Sequence, residues 1–353
     1  MAQDGDSIVK LPGGENLEVV AVDPPLGSYA DYAECWSDIR EDLFAGRLAS
    51  SLATPYYFGQ IGGRVVGSMA CFVPSKRPEI GLVEFVQTDE AHRRKGVAET
   101  LLTRLIGNFR AAGGAALYLC TTNPAAGSLY EKLGFRYFVG DGMRYLAPGF
   151  EDFDTSFFAH EGSAALEDGS WSDLPRAAAL FNHPEPDWLV KDYLSQSFRD
   201  TRFERHFINW MKPTDAGDGA VVTLESPSGR LVGIAGCVRS PTYYEQHVGT
   251  LSFRVCPAYM GQATELVRAA ASRAKELAID YFQLHIASCD VDQRRIAEAA
   301  GLEHVATLPQ RLRYGGGFAD LLLFSTRLGT SVPVRDKDYY YGGRKAWQKK
   351  RNS

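Results

Sequence analysis

The order of apolar and polar positions divides this chain into short elements. Val97, Leu101, Leu102, Leu105, Ile106 and Phe109 recur at three- and four-residue spacing, which predicts an amphipathic helix over 96–112 that ends at Gly113-Gly114. Before it, "LEVVAV" (17–22) reads as a strand, and 28–53 has a helical pattern with Ser28 as cap and Pro55 as stop. Two β-rich runs flank Gly62-Gly63 and predict a hairpin over 55–74, followed by a strand at 81–88. After the helix, "AALYLC" (115–120) is a continuous apolar run of the kind a buried strand carries. "NPAAGSLYEKLGF" (123–135) reads as a short helix, with Asn123 as cap, Pro124 in the first position and Gly134 at the end. Strand-like segments close the unit, so the first part of the chain reads as a mixed sheet with helices on its faces.

The same order then returns. "WSDLPRAAALFN" and "PDWLVKDYLSQSFRDTRFERHFINWM" have helical patterns, and 219–240 predicts a hairpin turning at Ser228-Gly229. A strand at 247–257, a helix at 262–278, a strand at 280–288, a short helix at 293–303 and a strand at 319–328 follow. Val86 and Val255 hold equivalent places, and the repeat is far longer than a solenoid unit. The expectation is two copies of one domain: 1–147, then an acidic, Gly-broken linker at 148–168, a second domain at 169–330, and an aromatic and basic tail at 331–353.

Composition narrows the function classes. The chain has 353 residues and a formal net charge of -5, with 45% hydrophobic and 23% charged residues, as in an ordinary globular protein of about two domains. An acidic balance speaks against a general binder of nucleic acid or of a membrane surface. The six cysteines form no CxxC pair and no Cys/His cluster of zinc-like spacing, so free thiols and no metal are expected. No signal-peptide pattern and no apolar run long enough to span a membrane are present, which makes the cytoplasm the expected compartment.

Candidate chemistry gathers at "EFVQTDEAHRRKGVAETLLTRLI" (84–106). A helix N-terminus presents unpaired N–H groups and a partial positive charge, a natural seat for phosphate. Gly96 allows a tight turn and close approach of a ligand, and Arg93, Arg94 and Lys95 add charge at the same place. Taken alone, this stretch reads equally as a solvated basic helix start. Glu84 lies two residues before Val86, on the same face of an alternating strand, and is a candidate base, with Glu79 as rival. Tyr130 lies one helical turn before Gly134; an ordinary phenol titrates near about 10 and stays a proton donor at neutral pH. It reads otherwise as a packed core ring. His92 sits at the helix entry, and the tail basics Arg344, Lys345, Lys349, Lys350 and Arg351 read as a solvated or packed terminus.

"V-Q-T-D-E-A-H-R-R-K-G-V-A" (86–98) followed by N-x-x-A-x-x-L-Y-x-x-x-G-F (123–135) resembles the GNAT superfamily of acetyl-CoA-dependent N-acyltransferases, over residues 17–146. The resemblance implies an α/β (α+β) fold of two GNAT-like domains, each a mixed, mostly antiparallel sheet flanked by helices. It implies that Arg93, Arg94, Lys95, Gly96, Val97 and Ala98 hold the pyrophosphate of acetyl-CoA or another acyl-CoA. Val86, Gln87 and Thr88 would lie along the pantetheine arm, with Asn123 near it, and Tyr130 would protonate the departing thiolate. The acceptor is expected to be a small-molecule amine, and the protein a monomer or homodimer. In the second unit Gly261 and Ala263 keep the G-x-A spacing, but Ala258 stands where Arg93 stands and Ala297 where Tyr130 stands. That unit reads as degenerate, though its backbone could still meet a nucleotide. An acyl-CoA sensor without catalysis, a decarboxylase or an O-acyltransferase on the same fold stay open beside N-acyl transfer.

Overall fold

The computed structural model describes residues 7–326; the aromatic and basic tail expected at 331–353 lies outside the described residues. The first domain begins with β1 (Ser7–Lys10), β2 (Asn16–Val22), α1 (Arg40–Phe44), β3 (Leu52–Ala53), β4 (Tyr56–Ile61), β5 (Arg64–Pro74) and β6 (Ile80–Thr88). It continues with α2 (Val97–Ala111), β7 (Ala116–Cys120), α3 (Pro124–Lys132), β8 (Arg136–Val139) and β9 (Gly142–Leu146). Its sheet runs β1-β2-β4-β5-β6-β7-β9-β8, with β3 on β5. Only β6 and β7 pair in parallel; every other neighbour is antiparallel. The β4–β5 hairpin turns at Gly62 and Gly63, both at positive φ as such a tight turn demands. The apolar face expected of α2 is the buried one, and it packs on β4, β5 and β6.

The second domain contains α4 (Phe153–Phe157), β10 (Ala165–Asp168), α5 (Asp173–Phe181), β11 (Val190–Asp192), β12 (Ser197–Phe198) and α6 (Ile208–Asp215). Then come β13 (Gly219–Glu225), β14 (Leu231–Arg239), β15 (Val248–Val255), α7 (Ala263–Glu276), β16 (Tyr281–Ala287), α8 (Val291–Ala299), β17 (Glu303–Tyr314) and β18 (Gly317–Ser325). Its sheet runs β10-β13-β14-β15-β16-β18-β17, and again only one pair, β15–β16, is parallel. The two domains thus share one topology. The stretch 148–168, expected as a linker, carries α4 and the edge strand β10. Phe153, Phe157 and Phe158 anchor it in the core.

One apolar core joins both domains. Helix α5 packs on β5 and β6 of the first sheet and on β14 and β15 of the second, so it fills the space between them. Phe72, Leu82 and Tyr118 from one side and Leu174, Phe181 and Phe253 from the other belong to the same buried cluster.

Two expectations fail and one strand goes unpredicted, each for a physical reason. Residues 28–53 are not one helix but a 3-10 turn (Gly27–Tyr32), an irregular stretch and the short α1. Carbonyls that a helix would use internally go to distant side chains: Tyr32 O accepts from Ser68 Oγ (3.0 Å), and Glu34 O accepts from Tyr56 Oη (2.8 Å). Residues 186–203 are not helical either; a 3-10 turn (Glu204–Phe207) then leads into α6. The N–H groups of Leu189 and Val190 donate to the Asp290 carboxylate, and Asp192 accepts from Leu194 N and Ser195 N in an Asx turn. Strand β17 was not foreseen because it is exposed along almost its whole length and carries no apolar period.

Candidate functional site

The parallel ladder between β6 and β7 is short. Ile80–Leu82 pair with Ala116–Tyr118, and the strands part beyond that point. A cleft of about 980 Å³ opens there, bounded by the C-terminal half of β6, the loop into α2 and the helix α3. Val86, Gln87 and Thr88 line it from β6; Arg93, Arg94, Gly96, Val97 and Ala98 line it from the loop and helix start; Asn123 and Tyr130 line it from α3. The edge of β6 that turns toward β7 has no strand partner along this stretch, and so its backbone groups face the cleft.

The loop is built for close approach. Arg94 (φ 62) and Gly96 (φ 92) are both in the left-handed region, which turns the chain sharply into α2. A Cβ at 96 would also come within 3.3 Å of Pro12. The first N–H groups of α2 have no carbonyl one turn back to bond. Gly67 sits opposite, where a Cβ would lie 2.9 Å from Val97 Cγ1 and 3.1 Å from Gln87 O. Arg93 Nε donates to Thr88 O (3.3 Å), which holds this guanidinium against the end of β6. Lys95, named among the candidates, does not line the cleft; its ammonium lies 3.4 Å from Glu15. His92 does line it, whereas Glu79 sits before the start of β6, at the far end of that strand.

Helix α3 is set by its cap. Asn123 Oδ1 accepts from Ala125 N (3.0 Å), and Pro124 follows in the first turn. One face of α3 is buried, and Tyr130 lies on it, its ring 5.9 Å from that of Phe135. Burial pushes the phenol up to about 12, and Cys120 and Glu84 add to the shift in the same direction.

Glu84 needs a correction. Simple alternation would put it on the face of Val86, but Phe85 has a φ of 57 and the β5–β6 register shifts there. Ser68 pairs with Gln87 and Ala70 with Glu84, so two residues of β6 oppose Met69 in a bulge. Glu84 therefore shares its face with Gln87, while Val86 packs with the α2 side. Gln87 Nε2 donates to Ser68 Oγ (2.8 Å) and Tyr32 O (3.2 Å). Glu84 faces the second domain, where Arg202 Nη1 lies 3.6 Å from its Oε1.

Sequence reasoning missed Arg202, which sat in a stretch read as helix. It also missed Asp31, Glu34 and Ser68 at the cleft wall. A glycine inside a strand pattern was the available signal for Gly67.

The matching gap of the second domain is different. Strands β15 and β16 pair over Val248–Leu251 and Tyr281–Leu284, and β11, the first strand of the β11–β12 hairpin, packs against both. Asp290, at the start of α8, accepts from Leu189 N (2.9 Å), Ser252 Oγ donates to Asp192 Oδ1 (2.5 Å), and Tyr193 stacks on His285 at 4.0 Å. The chain itself fills that gap.

Among the described residues no group of three or more His, Cys, Asp or Glu is placed to hold a metal ion, and no helix is long and apolar enough to cross a membrane. All six cysteines are free thiols; Cys71, Cys237 and Cys256 are buried and Cys289 is exposed.

The model of the acetyltransferase (GNAT) family matches residues 27–135, and that of the acetyltransferase (GNAT) domain matches residues 166–303. No curated protein matches the chain. Similar solved structures each span about half of it. The ribosomal-protein-alanine N-acetyltransferase of Brucella melitensis has 20% identity over 46% of this chain and 99% of its own, with a TM-score of 0.40. A GNAT superfamily phosphinothricin acetyltransferase of Sinorhizobium meliloti in complex with acetyl-CoA has 14% identity over 50% and 96%, with a TM-score of 0.42. An acetyltransferase of the GNAT family from Streptococcus pneumoniae has 17% identity over 47% and 99%, with a TM-score of 0.39.

Proposed function

Because the chain belongs to the GNAT superfamily, as two such domains in tandem, we propose that it moves an acyl group, in the first instance acetyl, from acyl-CoA to a small-molecule amine by direct attack. The observation that carries this reading is one continuous cleft that joins a glycine-turned helix N-terminus, an unpaired strand edge and a buried phenol.

The residues fit acetyl-CoA. Arg93, Arg94 and the N–H groups at the start of α2 form an anion seat, and Gly96 and Gly67 keep the approach open. The free edge of β6 at Val86–Thr88 offers backbone groups to an extended, amide-bearing arm, in the manner of strand addition. Asn123 fixes α3 and with it the position of Tyr130. Acetyl-CoA, when bound, supplies a thioester carbonyl for the amine to attack and a thiolate to leave. Tyr130 donates its proton to the departing sulfur and regains one from solvent; its raised pKa keeps it protonated for that task. The amine must lose a proton, and Glu84 is the base we assign, on the side turned toward the second domain. Lys95 has no direct part in this account.

The test is thiol release from acetyl-CoA with a panel of amines. Release that needs an amine, and a kcat lowered about 10²-fold or more in Tyr130→Phe, is the expected result. Tight CoA binding with no release under any acceptor would favour a sensor, and loss of CO₂ from malonyl-CoA without acceptor a decarboxylase.

A further inference from the structure

Residues 200–202 of the second domain reach the first domain beside Glu84 and the β8–β9 turn. Arg202 Nη1 lies 3.6 Å from Glu84 Oε1 and its Nε lies 4.0 Å from Asp141 Oδ1; its side chain is only 21% exposed. The β8–β9 turn is cut to receive it. A Cβ at Gly140 would lie 2.4 Å from Asp200 O, and one at Gly142 would lie 3.1 Å from Arg202 Cδ.

Both chain neighbours of Arg202 are locked. Thr201 O accepts from the buried Lys191 Nζ (2.8 Å), and Thr201 Oγ1 accepts from Phe198 N (2.6 Å). Phe203 is fully buried and stacks on Phe181 at 3.5 Å. Lys191 belongs to β11, the strand that sits in the second domain's own gap, held there by Asp290, Ser252 and the Tyr193–His285 stack. A guanidinium mounted on so fixed a base loses little freedom when it pairs.

We infer that Arg202 is a positioning residue for acyl transfer: the second domain, its own gap filled by β11–β12, presents this guanidinium to hold the Glu84 carboxylate on the face of β6 turned toward the second domain, beside the residues that line the cleft. The inference rests on the acyl-transfer reading. It gives the degenerate domain a task, since the hairpin that closes the second gap is the mount for Arg202. Charged and titratable groups near the carboxylate include Arg202 from the second domain and the Tyr130 phenol from α3, with Cys120 acting on that phenol and Asp141 across the guanidinium.

The experiment compares the full chain with Arg202→Ala, Arg202→Lys, Glu84→Gln and the Glu84→Gln/Arg202→Ala double variant, measuring kcat/KM for the amine over pH and acetyl-CoA affinity by calorimetry. Arg202→Ala should lower kcat/KM about tenfold or more, leave acetyl-CoA affinity within about twofold, and move the acidic limb of the profile to higher pH, since a carboxylate that loses a nearby cation holds its proton more tightly. Arg202→Lys should restore the limb, and in the Glu84→Gln background Arg202→Ala should have no further effect. Should Arg202→Ala fail to fold, Arg202→Gln takes its place. An active wild type whose variant keeps kcat/KM and the limb, or whose loss is additive with Glu84→Gln, overturns the inference alone. A wild type with no amine-dependent thiol release overturns the acyl-transfer reading and this inference with it.

Discussion

Tyr130 shows how one buried side chain sets an expected pH dependence. Burial disfavours the charged phenolate, so its pKa rises from the ordinary value of 10.0 to about 12. An acid of that kind keeps its proton through the whole alkaline range in which amines become nucleophilic. The kcat profile is therefore expected to stay flat between about pH 8 and about pH 10, because a donor is lost only as pH passes its pKa. A decline centred near pH 10 in wild type, absent from Tyr130→Phe, would contradict the burial of this phenol. The position of Tyr130 was legible in sequence, one turn before Gly134 in a capped helix. The face of Glu84 was not, because the positive φ of Phe85 inserts a bulge that no alternation rule registers.

Among the elements, α3 and the loop into α2 carry the site. Asn123 caps α3 through its side chain, so Asn123→Ala should cost about 1 kcal/mol and lower the melting temperature by a few degrees, with kcat falling as the Tyr130 helix frays. Thermal unfolding checks the first effect; an unchanged melting temperature would mean that the cap contributes nothing. Elements whose apolar residues face one core, such as α2 and the β4–β5 hairpin, were readable from period and turn residues. Elements whose backbone bonds to distant side chains were not. Residues 32 and 34 surrender carbonyls to Ser68 and Tyr56, and Leu189 and Val190 give their N–H groups to Asp290, partners far away in sequence, while Asp192 draws Leu194 and Ser195 into a local Asx turn. Such a stretch has an apolar pattern fit for a helix and a fold that denies it one.

At the scale of the whole molecule, the duplication has produced two unlike halves around one core. Helix α5 fills the space between the sheets, Lys212 reaches Asp42 at 3.4 Å, and Arg77 donates to Ser228 O. The two domains accordingly bury each other's apolar faces rather than hanging on a linker. One half keeps an open gap beside its parallel pair; the other fills the same gap with β11–β12. The loss of the basic and phenolic positions, with Ala258 and Ala297 in their places, was visible in the sequence. The filled gap was not, since nothing in residues 187–198 signals a hairpin seated in a strand junction. A crystal structure of the full chain with acetyl-CoA tests this account most directly. It should hold one molecule per chain, its diphosphate against the backbone of residues 94–98 and its thioester beside the Tyr130 hydroxyl. A nucleotide seated between β15 and β16, or a second molecule bound there, would contradict it.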